Sequence, residues 1–418
     1  MKRKAILTLL HALVALSGTA QVQSTTALLG TWNGKLSLGA MSLTLVFHLE
    51  QQEGYVTVAM DSPDQGAKGI GCLKEYLSDD SLAVRLDMIN ASYQAGLKEG
   101  KLVGTFSQNG MSFPLTLTRG GDQLRRPQLP VPPYPYRTEE VSFRNEADSA
   151  TLAGTLTYPL GFDAMSEGKV PVVLMVTGSG MQNRDEEIFD HKPFLVIADY
   201  LARHGIASLR YDDRDTGASE GGDLQSVTTA DFMRDAAAGI AYLRSLDTFG
   251  RIGCLGHSEG GSIAFMLAAQ GKTDFIVSLA GPGVKGDTLL AAQANRILSL
   301  SGMPATMTTA HYRQQEAVQQ NPWLRWFIDY DPSDDIRRAG CPVFALNGAT
   351  DCQVLSSLNL PAIRRLLPPS DKHLVKEYPA LNHLFQHCTT GLPSEYRQIE
   401  ETISPEVLAD IAAWINAL

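Results

Sequence analysis

Basic residues are in short supply: 35 Lys and Arg stand against 45 Asp and Glu in a chain of 418 residues, a formal net charge of −10 at pH 7. A nucleic-acid binder needs clustered cations to neutralise phosphates, and here they are scattered and outnumbered, so that class is set aside. Cysteine is scarce as well. Cys72, Cys254, Cys341, Cys352 and Cys388 form no CxxC pair of the metal-binding kind. Cys254 and Cys341 lie in or beside apolar runs and read as core residues. No metal cluster or nucleotide-binding loop is visible, and no cofactor is expected. Past the N-terminal segment no stretch approaches the ~20 apolar residues that a membrane span requires. What remains is ordinary: 44% apolar and 19% charged residues can bury a large core, and 418 residues exceed what one core usually fills, so two domains are expected.

Lys2, Arg3 and Lys4 precede the apolar run Ala5 to Leu16 and small residues up to Ala20. That order is a signal peptide, residues 1–20, with cleavage near Ala20 and export to the periplasm or medium. An oxidising compartment would permit a Cys352–Cys388 disulfide between two loops.

From about residue 25 to 120 apolar and polar residues alternate, as in Ser42-Leu43-Thr44-Leu45-Val46-Phe47, which predicts a small antiparallel β-domain, barrel or sandwich. Its Gly30-Thr31-Trp32 opening loosely resembles lipocalin-like barrels, but core packing is the expected task of Trp32. Residues 121–138, with Pro127, Pro130, Pro132, Pro133 and Pro135, read as a linker. Beyond it, apolar strands (Val170 to Val176, Ile206 to Leu209, Arg251 to Leu255, Phe275 to Leu279, Val343 to Leu346, Leu374 to Tyr378) alternate with helices, including Lys192 to His204 and Thr229 to Leu246. The expected class is α/β, a mostly parallel sheet over residues 139–418. A last helix should start at Ser404-Pro405-Glu406, with Ser as N-cap. A helical, aromatic-bearing stretch at about 285–340, with Trp323, Trp326 and Phe327, interrupts the alternation and reads as a lid over the carboxyl edge of the sheet. Its aromatics either line an acyl pocket or only glue the insertion down.

Gly256-His257-Ser258-Glu259-Gly260, between an apolar strand and an apolar helix, is a Gly-x-Ser-x-Gly elbow that presents Ser258 as a nucleophile. A hydroxyl needs a base and an orienting carboxylate. Asp351 follows a late strand and is the expected acid, ahead of Asp334, Asp335 and Asp371 at the wrong strand ends. His383, after the last core strand, is the expected base, ahead of His387 and of His257, whose ring must turn away from Ser258. The backbone N–H of Glu259 and that of Ser179, or alternatively Gly180, should form the oxyanion hole. The Glu259 carboxylate itself suits a helix first turn.

These segments, with Arg184-Asp185-Glu186, Arg210-Tyr211-Asp212-Asp213-Arg214, Asn347-Gly348-Ala349-Thr350-Asp351 and Asn382-His383-Leu384-Phe385-Gln386, resemble the two-domain bacterial carboxylesterases of the esterase D type, in the serine-aminopeptidase-like branch of the α/β-hydrolases. The resemblance implies the α/β-hydrolase fold, a Ser258, Asp351, His383 triad, an acyl-enzyme, and short to medium acyl esters as small-molecule substrates. Thr177 departs from it, standing where such enzymes often carry His. Arg184, Asp185 and Arg214 are expected to brace loops as ion pairs. Two rival readings stay open: an exported peptidase or aminopeptidase, with Glu186, Glu187 or Glu259 holding a substrate amine, and a binding protein on an inert hydrolase scaffold with the β-domain as its active part.

Overall fold

The computed structural model describes residues 27–38, 41–52, 55–65, 67–120, 124–163, 169–221 and 226–418; the expected signal peptide, residues 1–20, lies outside them. The chain divides into two compact units, residues 1–123 and 124–418.

The first unit is a closed antiparallel barrel of eight strands, β1 (Gly30–Leu38), β2 (Met41–Gln52), β3 (Tyr55–Ser62), β4 (Ala67–Leu77), β5 (Ser81–Leu86), β6 (Ala91–Lys98), β7 (Lys101–Gln108) and β8 (Met111–Arg119), each beside its sequence neighbour and β1 closing on β8. Alternate residues point inward. In β5 these are Leu82, Val84 and Leu86, all buried. Trp32, Phe47, Tyr93 and Phe106 fill the interior. Their polar tips are satisfied inside: the Trp32 indole N–H donates to the Leu28 carbonyl at 2.8 Å, and the Tyr93 hydroxyl lies 3.1 Å from the Leu102 carbonyl. The barrel is therefore a packed core rather than a lipocalin-like cup, and Trp32 belongs to that core.

The second unit holds an eight-stranded sheet of β9 (Thr138–Asn145), β10 (Ala150–Thr157), β11 (Val172–Val176), β12 (Ala207–Tyr211), β13 (Ile252–His257), β14 (Phe275–Leu279), β15 (Val343–Gly348) and β16 (Leu374–Tyr378), in the order β16-β15-β14-β13-β11-β12-β10-β9. The β9–β10 hairpin and the β10–β12 pair are antiparallel, and the other pairs are parallel. In β11, Val172, Leu174 and Val176 enter one apolar cluster while Val173 and Met175 enter the other. A parallel strand covered on both faces must be apolar throughout, which is why these strands read as unbroken runs. Helices α1 (Pro193–Arg203) and α2 (Thr229–Ser245) follow β11 and β12; α3 (Glu259–Ala269) follows β13. The chain order turns at β11, which lies between β12 and β13, so the crevice at their carboxyl ends is the switch point where ligands bind in such sheets.

Between β14 and β15 the predicted insertion is helical: α4 (Gly286–Leu300), α5 (Thr309–Arg313), α6 (Glu316–Gln320), α7 (Pro322–Asp329) and α8 (Ser333–Arg337). Helices α9 (Ser356–Leu366), α10 (Pro393–Tyr396) and α11 (Pro405–Ala417) complete the unit. Ser404 does precede α11, but its side chain makes no capping bond.

Two expectations need correction. The described part of the Pro-rich stretch is no free tether, because the Arg126 guanidinium donates to the carbonyls of Arg397, Asp190 and Ile399, and Gln128 bonds to Ile403 and Thr402. Its side chains, not its prolines, decide this. The disulfide is absent: all five cysteines are free, the Cys352 thiol facing the Gly391 carbonyl and Cys388 lying 3.0 Å from the Thr350 hydroxyl.

The ion pairs expected of Arg184, Asp185 and Arg214 are present and mostly buried. Arg184 forks onto Asp212 and reaches Glu140, and Arg210 pairs with Asp185. Arg214 grips Asp235 through two bonds of 2.8 and 2.7 Å, both residues being within the core. Removing one partner of such a pair strands a charge in low dielectric. Arg214→Ala should therefore cost about 3–5 kcal/mol, against a far smaller loss for cutting an exposed pair such as Lys169–Asp247. Urea denaturation of both variants measures this, and equal small losses would contradict it.

Candidate active site

The elbow after β13 is a close approach of backbones. A Cβ at Gly256 would lie 1.9 Å from the Gly260 carbonyl oxygen, and one at Gly260 would lie 2.2 Å from that of Val176, so strand, turn and helix meet only if both positions are glycine. Between them Ser258 takes φ 54° and ψ −115°, a strained conformation for a side-chain-bearing residue, at the start of α3. Strain of that kind holds a hydroxyl off the end of the sheet.

Asp351 lies in the loop after β15 and His383 in the loop after β16, and the two are brought together. His383 Nδ1 is 2.7 Å from Asp351 Oδ2, while Asp351 Oδ1 accepts from the amides of Gln353 at 2.7 Å and Val354 at 2.9 Å. Both carboxylate oxygens are occupied, so the acid is fixed and in turn fixes the ring. With Nδ1 tied to Asp351, Nε2 is the nitrogen left for chemistry. Ser258, His383 and Ser179 line one cavity of about 300 Å³, with Leu289, Trp323, Phe327 and Val354 among its apolar walls. Its lining includes no Lys or Arg. The insertion aromatics Trp323 and Phe327 thus line the pocket, whereas Trp326 stacks on Tyr330. His387 is more than half exposed and pairs with Glu401, away from this group.

Of the loop after β11, the Gly178 amide is already committed, donating to Glu186 Oε1 at 3.0 Å. Ser179 lines the cavity; Gly180, with φ 98°, lines a smaller space behind it. Thr177, in place of the family's histidine, gives its hydroxyl to Asp213 at 3.0 Å, and the Gln182 amide adds a second bond to the same carboxyl at 2.9 Å. Burial pushes the Asp213 carboxyl up to about 8.

Two of the acids that the rival peptidase reading offered to a substrate amine are engaged by protein partners, although Glu186 borders the cavity. Glu186 is buried and its Oε1 lies 2.7 Å from His257 Nδ1. Glu259 is buried too, its Oε1 accepting from Thr229 at 2.6 Å and from the Trp323 indole at 2.8 Å, and burial raises its carboxyl above the ordinary range despite those bonds. Glu187, more exposed, lies 3.5 Å from Lys192. Neither the Glu186–His257 contact nor the Glu259–Trp323 one has a sequence signal, because each joins segments at least 64 residues apart.

The family described as serine aminopeptidase, S33, matches residues 192–352, a span that contains Ser258 and Asp351. Esterase EstD of Thermotoga maritima is 25% identical over 333 residues, 76% of this chain and 74% of the relative. The chain has the α/β-hydrolase fold. Among solved structures, a Pyrococcus furiosus esterase shares 15% identity with a TM-score of 0.46, covering 71% of the hydrolase chain and 99% of its own. Est1E of Butyrivibrio proteoclasticus, with ferulic acid bound, shares 16% with a TM-score of 0.45, covering 66% and 97%.

The raised Asp213 sets a pH dependence in the hydrolase. An acid whose folded pKa lies above its unfolded value favours folding while protonated, so its stabilisation is complete below about pH 4 and is lost as the pH climbs through about 8. Asparagine keeps an oxygen for Thr177 and Gln182 without the charge. Asp213→Asn should raise the melting temperature more at pH 8 than at pH 5; an equal change at both values would contradict the assignment.

Proposed function

We propose that the hydrolase cleaves neutral carboxylic esters by covalent catalysis at Ser258. The observation that carries this is the His383–Asp351 pair at 2.7 Å opening into the same cavity as a serine held at positive φ. His383 Nε2 takes the hydroxyl proton as Ser258 Oγ attacks the acyl carbon, and Asp351 stabilises the imidazolium that forms. The oxyanion is received by the Glu259 amide, whose place at the head of α3 leaves it without an intrahelical acceptor, and by the Ser179 amide. Ser179 is favoured over Gly180 because it lines the cavity. His383 then gives the proton to the leaving alcohol, and water releases the acid by the reverse course. No cofactor is required.

Esters are favoured over peptides on the lining of the cavity and on the likeness to the Thermotoga esterase. An aminopeptidase site needs a carboxylate free to hold the amine, and Glu186 and Glu259 are both engaged by protein partners. The apolar walls and the lack of a lining cation suit an uncharged acyl chain of short to medium length. The basic and apolar N-terminal segment, Lys2 to Ala20, supports action outside the cytoplasm.

Hydrolysis of p-nitrophenyl esters from acetate to decanoate tests the proposal. Activity should peak at short to medium chains and fall by decanoate, and Ser258→Ala should lower kcat by about 10⁴-fold or more. Cleavage of aminoacyl amides alone would support the peptidase. Neither activity, with no fluorophosphonate labelling at Ser258, would leave the scaffold as a binding protein.

A further inference from the structure

Beside the elbow lies a second acid–imidazole contact that the acyl chemistry does not use. His257, the last residue of β13, and Glu186 border the same cavity as Ser258, and the ring is held at both nitrogens: Nδ1 meets Glu186 Oε1 at 2.7 Å, and Nε2 lies 3.0 Å from the backbone carbonyl of His383. Glu186 Oε1 also accepts from the Gly178 amide. Three loops therefore converge on two side chains: the one after β11, the elbow, and the one bearing His383.

Proton counting fixes the state of this pair. The His383 carbonyl can only accept, so Nε2 carries a hydrogen. Oε1 accepts from Gly178, so it presents lone pairs. A neutral ring protonated at Nε2 facing a carboxylate would set lone pair against lone pair across 2.7 Å, so a proton must lie in that gap. We propose that Glu186 and His257 are a buried, net-neutral couple sharing this extra proton, and that they position the Gly178 and His383 backbones on either side of Ser258. The proposal rests on the Ser258–His383 reading for its catalytic consequence but not for the protonation state.

The surroundings fit. Glu186 and His257 are 2% and 6% exposed, and their far side is packed by Phe194, Ile197, Leu279 and Phe385. The other titratable groups facing the ring are His383, with ring centroids 4.7 Å apart, and its partner Asp351. Burial by itself opposes an imidazolium, but the charge and hydrogen bond of Glu186 outweigh it and hold the His257 ring above its ordinary pKa. The couple is thus complete below the unfolded pKa of about 6.5 and is lost as the pH rises through the higher folded value. It should impose an alkaline limb on kcat. Neither residue is required to touch the reacting atoms; both are positioning residues.

Two measurements on the full chain test this. In the first, ¹⁵N NMR of histidine-labelled protein, assigned with His257→Gln, should show one ring protonated at both nitrogens at pH 7.5 and titrating above 6.5, with its midpoint lowered in Glu186→Gln. A midpoint below 6.5 overturns the proposal. In the second, kcat for ethyl butyrate is followed against pH by titrating released acid. Glutamine at 257 can still donate to the His383 carbonyl but does not titrate, so kcat should fall about 10- to 100-fold with KM nearly unchanged, and the alkaline limb should vanish. An alkaline limb kept at the wild-type pH overturns it. If the wild type cleaves no ester, the proposed function fails, while the NMR result still decides the couple.

Discussion

The constraint on which the site depends is the contact of three backbones at the elbow, where β13, α3 and the end of β11 approach so closely that a single methyl at Gly256 or Gly260 would lie about 2 Å from a carbonyl oxygen. Close packing of this kind has no slack, because interiors are filled to crystal-like density and a displaced carbonyl must displace its neighbours. Helix α3 inherits the constraint. Its residues from Glu259 to Ala268 are all buried, so it has no solvated face and its apolar sequence lacks the usual helical stripe. Packed against β13 and β14, it fixes the amide of Glu259 relative to the strand ends. The position of Ser258 is thus set by main-chain geometry rather than by its own side-chain contacts.

A rigid elbow would be of little use if the loops around it were free, and buried polar contacts hold them. Arg184 reaches from the loop after β11 to Asp212, and Asp213 collects the Thr177 hydroxyl and the Gln182 amide. Glu186 holds the Gly178 amide. None of these is evidence of high stability, since desolvation offsets much of what each pair gains. Their consequence is specificity of conformation: a loop with several buried donors and acceptors has few arrangements that satisfy them all, and leaving one unmet costs about 1–3 kcal/mol. Thr177 meets the demand of Asp213 for a donor because its hydroxyl has the right reach.

The elbow and the strand-end placement of Asp351 and His383 were legible because they depend on local pattern: an apolar run covered on both faces, then a turn, then a helix. The same logic separated Asp351 from Asp334, Asp335 and Asp371, which stand at the wrong ends of strands. The alternation of β1 to β8 announced an antiparallel domain, but closure into a barrel depends on β1 meeting β8, residues more than eighty positions apart, and no short-range signal carries that. The Pro-rich stretch misled because proline content describes what a backbone cannot do; the docking of Arg126 and Gln128 depends on carbonyls as far away as Ile399 and Ile403. The sequence offered Glu186 and Glu259 to the rival peptidase reading by their charge, and Glu259 also to the first turn of a helix. Their partners, His257 and Trp323, could be found only in three dimensions.

Glu259 shows why the aromatic insertion cannot be treated as a detached cover. Its amide belongs to the elbow, while its carboxyl oxygen binds Trp323 of α7 and Thr229 of α2. One residue therefore spans the elbow, where the oxyanion is proposed to bind, the pocket wall and the helix behind it. Trp323 also stacks on Phe327 at a centroid separation of 5.3 Å, and both line the cavity, so an acyl chain that pressed against either ring would press on a group hydrogen-bonded to the residue next to the nucleophile. Oε2 of the same carboxyl is buried without a hydrogen-bond partner, and burial favours its protonated form. A neutral acid there adds no full negative charge beside a developing oxyanion, whereas an ionised one would oppose the charge that the neighbouring amide is placed to receive. Burial, by shifting this carboxyl toward its neutral form, therefore works in the direction that the proposed chemistry one residue away requires.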